Sequence, residues 1–207
     1  MYTLHLTDAF VLDSYPRGET DKLYFFYTEQ FGLVTIVAKG VRQEYSKMRG
    51  CLDLYMRTQI GFVAGKDMYR LTHTEARLSY PRLRSDFFRY RGAQAVGDLI
   101  VRLVGQHEGD NALWTLAAQT FAALASEALM PSQLGALLYG FQVKFFSILG
   151  YLPLERPAVV DMLYRVEDIT HLGPLGAQQE EDIRLFLRGI YAYAGAAPQS
   201  MQAFLFS

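Results

Sequence analysis

The chain has 207 residues, of which 51% are hydrophobic and 20% charged, with a mean hydropathy of +0.05. That balance excludes a disordered polymer, and no uncharged apolar run is long enough for a helical membrane span. The net charge of -1 hides an asymmetry: residues 1–91 hold 14 Lys+Arg against 10 Asp+Glu, a net of +4, whereas residues 92–207 hold 6 against 11, a net of -5.

Opposite signs in the two halves predict two units, with any polyanion bound mainly by the first. In chain order, residues 2–12 alternate, with Tyr2, Leu4, Leu6, Phe10 and Leu12 on one side and Thr3, His5, Thr7 and Val11 on the other. This predicts a half-buried strand. Asp13 to Asp21, with Pro16 and Gly18, reads as a turn. Leu23 to Thr28 is a second strand and Leu33 to Ala38 a third, apolar and β-branched. Leu52 to Phe62 alternates most cleanly, even positions apolar and odd ones polar, and predicts a fourth strand. Gly65-Lys66-Asp67 turns the chain into a fifth, ending near Ala76.

Five short strands with turns between them predict a small antiparallel barrel. The oligonucleotide-binding (OB) fold is a Greek-key barrel of this size, although alternation alone does not separate it from an SH3-like barrel. After Ser79-Tyr80-Pro81 the period becomes helical. Ser85 is a candidate cap for a helix on which Phe88, Ala95, Leu99 and Leu103 recur at helical spacing. A second helix opens at Asp110-Asn111, with Leu113, Leu116, Thr120, Phe121 and Leu124 inward. Pro131 starts a third, whose stripe Leu134, Leu138, Phe141, Phe145, Leu149 stops at Gly150. Residues 158–177 read as irregular. Ile183, Phe186, Leu187 and Ile190 mark another helix ending near Gly195, and Met201 to Phe206 a final turn. The expected fold class is α+β: a five-stranded OB-type barrel over residues 1–79, followed by a helical domain over residues 80–207.

Between the third and fourth strands lies the segment Ala38-Lys39-Gly40 to Gly50. Lys39 leaves the barrel beside a glycine, where a backbone phosphate can approach, and Arg42, Lys47 and Arg49 extend the cationic track. Arg17 and Lys22 lie in and beside the preceding turn and can join it. Such a cluster on loops leaving a sheet is an electrostatic footprint for nucleic acid. Single strands are also held by stacking on exposed aromatics. Tyr55 and Arg57 are neighbours on the polar side of the expected fourth strand and are the candidate stacking pair, with Tyr69 and Arg70 a weaker one. Arg77, Arg82, Arg84, Arg89 and Arg91 form a second basic series, which either extends that path or pairs with acidic groups of the helical unit. Trp114 and the phenylalanine stripe of the third helix read as bundle core.

Catalytic and metal signatures are missing from the sequence. His5, His73, His107 and His171 have no metal-site spacing, and no Gly-rich phosphate loop, GxSxG elbow or HExxH occurs. Cys51 is the only cysteine, which rules out an intrachain disulfide and fits a reducing compartment. The start, Met1 to Leu6, has no basic region followed by a long apolar one, so a cytoplasmic location is expected.

The ordered pieces Tyr15-Pro16-Arg17-Gly18-Glu19-Thr20-Asp21-Lys22-Leu23, Tyr27-Thr28-Glu29-Gln30-Phe31-Gly32-Leu33, Ala38-Lys39-Gly40 and Ser46-Lys47-Met48-Arg49-Gly50 with Leu52 resemble the bacterial recombination mediator family RecO. So does Lys144 to Pro153, a helix ending in Leu-Gly-Tyr-x-Pro. The resemblance covers roughly residues 1–153. It implies an N-terminal OB barrel, a helical C-terminal domain, and binding of single- and double-stranded DNA. It also implies strand annealing and help in loading RecA onto strands coated by single-strand DNA-binding protein, with RecR as partner. Many family members place four zinc-binding cysteines after the Leu-Gly-Tyr-x-Pro block; here Leu154 to Val160 supplies none, so no metal or other cofactor is expected. The expected function is a non-enzymatic DNA repair mediator. Its rivals are an OB-fold adaptor that contacts only protein and a small hydrolase with dispersed catalytic groups.

Overall fold

The computed structural model describes residues 3–105 and 109–195. The expected turn at Met201–Phe206, Tyr2 and His107 lie outside the described residues. Contacts divide the chain into two units, Met1–Tyr80 with Leu99–Asn111 and Pro81–Asp98 with Ala112–Ser207.

The first unit holds five strands: β1 (Leu4–Arg17), β2 (Asp21–Thr28), β3 (Gly32–Ala38), β4 (Arg57–Ala64) and β5 (Tyr69–Leu78). They close into a barrel in the order β1-β2-β3-β5-β4. All neighbours are antiparallel except β3 and β5, which run parallel through Ile36↔Tyr69 and Val37↔Arg70. This is the OB-fold barrel, and closure removes every free strand edge. The long β1 makes it possible: its first part pairs with β4, its second with β2, and a register shift between Val11 and Asp13 bends it from one to the other. The core is filled from Ala9 and Val11, Tyr24 and Phe26, Val34, Ile36 and Ala38, Ile60 and Phe62, and Leu71.

Two features depart from simple alternation. On β1 the inward side is the odd one: Thr7, Ala9 and Val11 are buried, while Leu4 and Leu6 are 60% and 49% exposed. His5 packs inward against Phe31 and Phe62, each ring at 5.1 Å. From Ala9 to Leu12 both faces are covered, so the even apolar residues there carry no information about which side is core. The expected turn from Asp13 to Asp21 is also shorter, because β1 continues to Arg17.

The second departure is at the fourth strand. Arg49–Cys51 is a 3-10 turn, and β4 begins only at Arg57. Before it, Tyr55 has φ 63°, the left-handed region. Its N–H donates to Val11 O at 2.7 Å, and Val11 N–H donates to Met56 O at 3.2 Å, at the bulged part of β1. The left-handed residue breaks the period-two alternation. Leu52, Tyr55 and Met56 are therefore all buried.

After the strands the chain is helical: α1 (Pro81–Ser85), α2 (Phe87–Leu103), α3 (Asn111–Ala125), α4 (Leu134–Ile148), α5 (Ala158–Arg165) and α6 (Ala177–Tyr193). Asp86, not Ser85, caps α2: its Oδ1 accepts from the N–H groups of Phe88 and Arg89. Phe88, which shares the helical spacing of the buried Ala95 and Leu99, is itself 64% exposed. α3 buries Leu113, Trp114, Leu116, Thr120, Phe121 and Leu124. Pro131 opens a 3-10 turn that leads into α4.

The Leu-Gly-Tyr-x-Pro block has a mechanical reason. Gly150 has φ 77°, its N–H donates to Ser147 O, and Tyr151 N–H reaches back to Phe146 O at 2.8 Å. These two bonds are a Schellman motif, with Tyr151 packing edge-on to Phe146. Residues 158–177, expected irregular, contain α5. Its buried Val159, Val160 and Leu163 span only two turns, too short for a clear period, and tertiary packing on α4 holds it. Arg156 pairs with Asp161 at 2.6 Å and lies 4.2 Å from the centre of the Tyr164 ring; Lys144 donates to Tyr164 O at 2.6 Å. Ion pairing and cation–π stacking thus tie together the segment where the family resemblance implies cysteines.

Candidate nucleic-acid interface

The segment after β3 is a run of turns rather than a loose loop. Gln43, Ser46, Arg49 and Cys51 each donate a backbone N–H to the carbonyl three residues earlier. Val41 is buried and Met48 packs against the same barrel core, so the segment is anchored from below. Gly40 takes φ 64°, and its N–H donates to Asp21 Oδ1 at 2.8 Å. A side chain is disfavoured in that backbone conformation, which accounts for the glycine after Lys39.

This scaffold displays Lys39, Arg42, Lys47 and Arg49 on the surface, all exposed. Arg42 is the best oriented. Its N–H donates to Thr20 O, and its guanidinium donates to Gly18 O at 3.0 Å, which joins the segment to the β1–β2 turn. Arg17 is exposed at the end of β1, and its guanidinium donates to the Met68 thioether. Lys22, the second residue of β2, lies 5.8 Å from the centre of the Tyr24 ring and is half-buried. Asp21 sits among them. The Gly40 N–H, aided by the Thr20 hydroxyl, Lys39 and Arg17, holds its carboxyl below the usual range, so it is ionised and already engaged. Beneath the segment, burial pushes the Tyr24 phenol up to about 12, with Asp53 adding to the shift and Arg49 opposing it.

Tyr55 and Arg57 do not form the surface pair the alternation predicts. Tyr55 is 4% exposed, turned inward by its left-handed backbone. Arg57 is held by Asp8 through Nη2 at 2.6 Å and Nε at 3.0 Å. On the turn segment itself Tyr45 reaches the surface, 80% exposed between Arg42 and Lys47. Its signal in the sequence was its place inside the cationic run, with no apolar partner at strand spacing.

The second basic series is largely committed to structure. Arg77 pairs with Glu75 at 3.0 Å and lies 3.7 Å from Asp8, and Arg82 pairs with Glu127 at 2.9 Å. Arg89 is 8% exposed and donates to the carbonyls of Leu124, Ser126 and Leu129 at 2.6–2.7 Å. Among the described residues no three His, Cys, Asp or Glu side chains are grouped as metal ligands, and no helix is long and apolar enough to cross a membrane.

Fold and surface together define an OB-fold protein with a cation-rich barrel end, its barrel followed in sequence by a helical unit. Comparison with known proteins narrows this. The family described as "Recombination protein O N terminal" matches residues 1–80. A protein named DNA repair protein RecO from Heliobacterium modesticaldum is 31% identical over 178 residues, 86% of this chain and 62% of that protein. Its namesakes from Pelotomaculum thermopropionicum and a Synechocystis species are 29% and 27% identical, over 74% and 66% of this chain. The chain is thus similar to RecO proteins over most of its length, and residues 1–80 match the family's N-terminal model. It spans 51–62% of the length of these relatives.

Proposed function

We propose that this protein serves DNA repair and recombination as a non-enzymatic mediator. In this reading residues 1–79 form the DNA-binding domain and residues 80–207 the helical domain. The barrel holds DNA without sequence preference, its backbone on Lys39, Arg42, Lys47, Arg49 and Arg17 with Lys22 beside them, and a base on Tyr45. The observation that carries the proposal is the anchored run of turns that presents Arg42, Tyr45, Lys47 and Arg49 outward while Val41 and Met48 hold it to the core. Cations supply sequence-independent affinity and an exposed ring supplies stacking, which is the combination single-strand binders use. The relatives' shared name supports the repair role. Strand annealing, loading of RecA and partnership with RecR and single-strand DNA-binding protein are what the resemblance to RecO implies, and belong to the same proposal.

A salt series on a labelled single strand tests it. With roughly five phosphates neutralised at about -0.7 each, log K falls against log salt with a slope of roughly -3.5. Changing Lys39, Arg42 and Lys47 together to Gln flattens that slope by about 2. Binding that is absent, or indifferent to salt, would favour the adaptor that contacts only protein.

A further inference from the structure

The barrel end carries a cleft of about 490 Å³ lined by Arg17, Lys39, Lys66 and Arg70, together with Asp21, Asp67 and Met68. Its walls come from distant parts of the sequence that the barrel brings together. Arg17 faces Asp21 across the β1–β2 pair, Val37 pairs with Arg70, and Val63 pairs with Arg70 from the other side. Lys66 stands on the β4–β5 hairpin. That hairpin is tightly closed: Gly65 N–H donates to Met68 O, and a Cβ on Gly65 would lie 2.4 Å from the same oxygen.

Four cations face two carboxylates here, and the carboxylates do not neutralise them all. Asp21 is taken up by the Gly40 N–H and the Thr20 hydroxyl. Among the described residues Lys39, Lys66 and Arg70 make no side-chain ion pair or hydrogen bond. Arg17 donates only to a thioether, a weak acceptor that a phosphate oxygen displaces readily. The cleft also adjoins the turn segment, since Arg42 is bonded to Gly18, the residue after Arg17. A strand lying on Arg49, Lys47, Tyr45 and Arg42 is led past Gly18 into it.

We infer that this cleft is a phosphodiester subsite, in which Lys66 and Arg70 join Arg17 and Lys39 on the backbone of the strand whose preceding nucleotides lie on the turn segment. The inference rests on the proposed DNA binding and adds two contacts, from the β4–β5 hairpin and the start of β5, that the basic run after β3 does not contain. It makes the footprint cross the barrel end, from β3 to the β4–β5 hairpin.

The test uses the full chain and a labelled oligothymidylate longer than the roughly 4–16 nucleotides an OB fold occupies. Three proteins are compared: the parent, Lys66→Gln with Arg70→Gln, and Arg42→Gln with Lys47→Gln and Arg49→Gln. Removing two cleft contacts flattens the slope of log K against log salt by about 1.4, so that between about 50 and 200 mM salt the parent loses about sevenfold more affinity than the variant. Both cleft residues are on the surface, and an unchanged melting temperature confirms that the fold is kept. If only the turn-segment variant flattens the slope, the subsite is overturned while DNA binding stands. A parent with no salt-dependent binding overturns both. The series is repeated with phosphate replacing chloride at matched ionic strength. A difference between parent and cleft variant that persists supports a strand in the cleft; one that vanishes assigns the cleft to free phosphate and overturns the inference.

Discussion

Two tyrosines ten residues apart should fail in opposite ways when replaced by alanine. Tyr45 is 80% exposed on the turn segment and Tyr55 is 4% exposed beneath the barrel wall. Tyr45→Ala removes a ring that packs on nothing in the core, so stability should stay within about 0.5 kcal/mol of the parent. If a base stacks on that ring, the loss in binding is about 1–3 kcal/mol, roughly 5- to 150-fold in Kd. The salt slope stays put, because stacking releases few counterions. Tyr55→Ala empties a buried aromatic site and should cost about 3–5 kcal/mol of stability, a large share of the roughly 5–15 kcal/mol of a small domain. Any binding defect in it then follows the unfolded fraction. Thermal unfolding by circular dichroism and anisotropy titration on the same samples separate the two. The reasoning is refuted if Tyr45→Ala binds like the parent, or if Tyr55→Ala melts normally and has lost affinity.

Arg89→Met should destabilise the helical unit by about 1–3 kcal/mol for each buried carbonyl it strands, among Leu124, Ser126 and Leu129; calorimetry of the full chain reads it, and an unchanged transition would contradict the assigned role. Asp161, paired first with Arg156 and then with Arg165, has a carboxyl pKa below its ordinary 3.8. A lowered folded pKa stabilises above the unfolded value and is lost as pH falls through the folded one. Asp161→Asn should therefore melt below the parent at neutral pH, with the gap closing as pH drops below 3.8. A gap that widens in acid would reverse the sign.

The barrel strands were legible where an apolar or aromatic run is bounded by turn residues, as at β2 and β3, which are covered on both faces. On β1 the strand was legible but its inward side was not, because Ala9 to Leu12 is buried on both faces and alternation loses its meaning there. Nor was the passage before β4 legible. Leu52, Leu54 and Met56 alternate as a strand would, but they pack from a 3-10 turn and a left-handed tyrosine. That single backbone feature, which no propensity predicts for tyrosine, moved the expected stacking ring inward. The cations after β3 were readable because charge on a turn has few structural uses. Arg57 and Arg89 looked the same in sequence and are spent on Asp8 and on three carbonyls. Lys66 and Arg70 went unnoticed as partners of Arg17 because barrel closure, not chain proximity, brings them together.

The central claim is that a strand lies on the turn segment after β3. Photo-crosslinking places it most directly. A single strand carrying 5-iododeoxyuridine is irradiated with the full chain, and the joined peptides are sequenced by mass spectrometry. The account predicts crosslinks at Tyr45, exposed among Arg42, Lys47 and Arg49, and their loss in Tyr45→Ala. Crosslinks confined to residues 81–195, with the turn segment untouched, would contradict it.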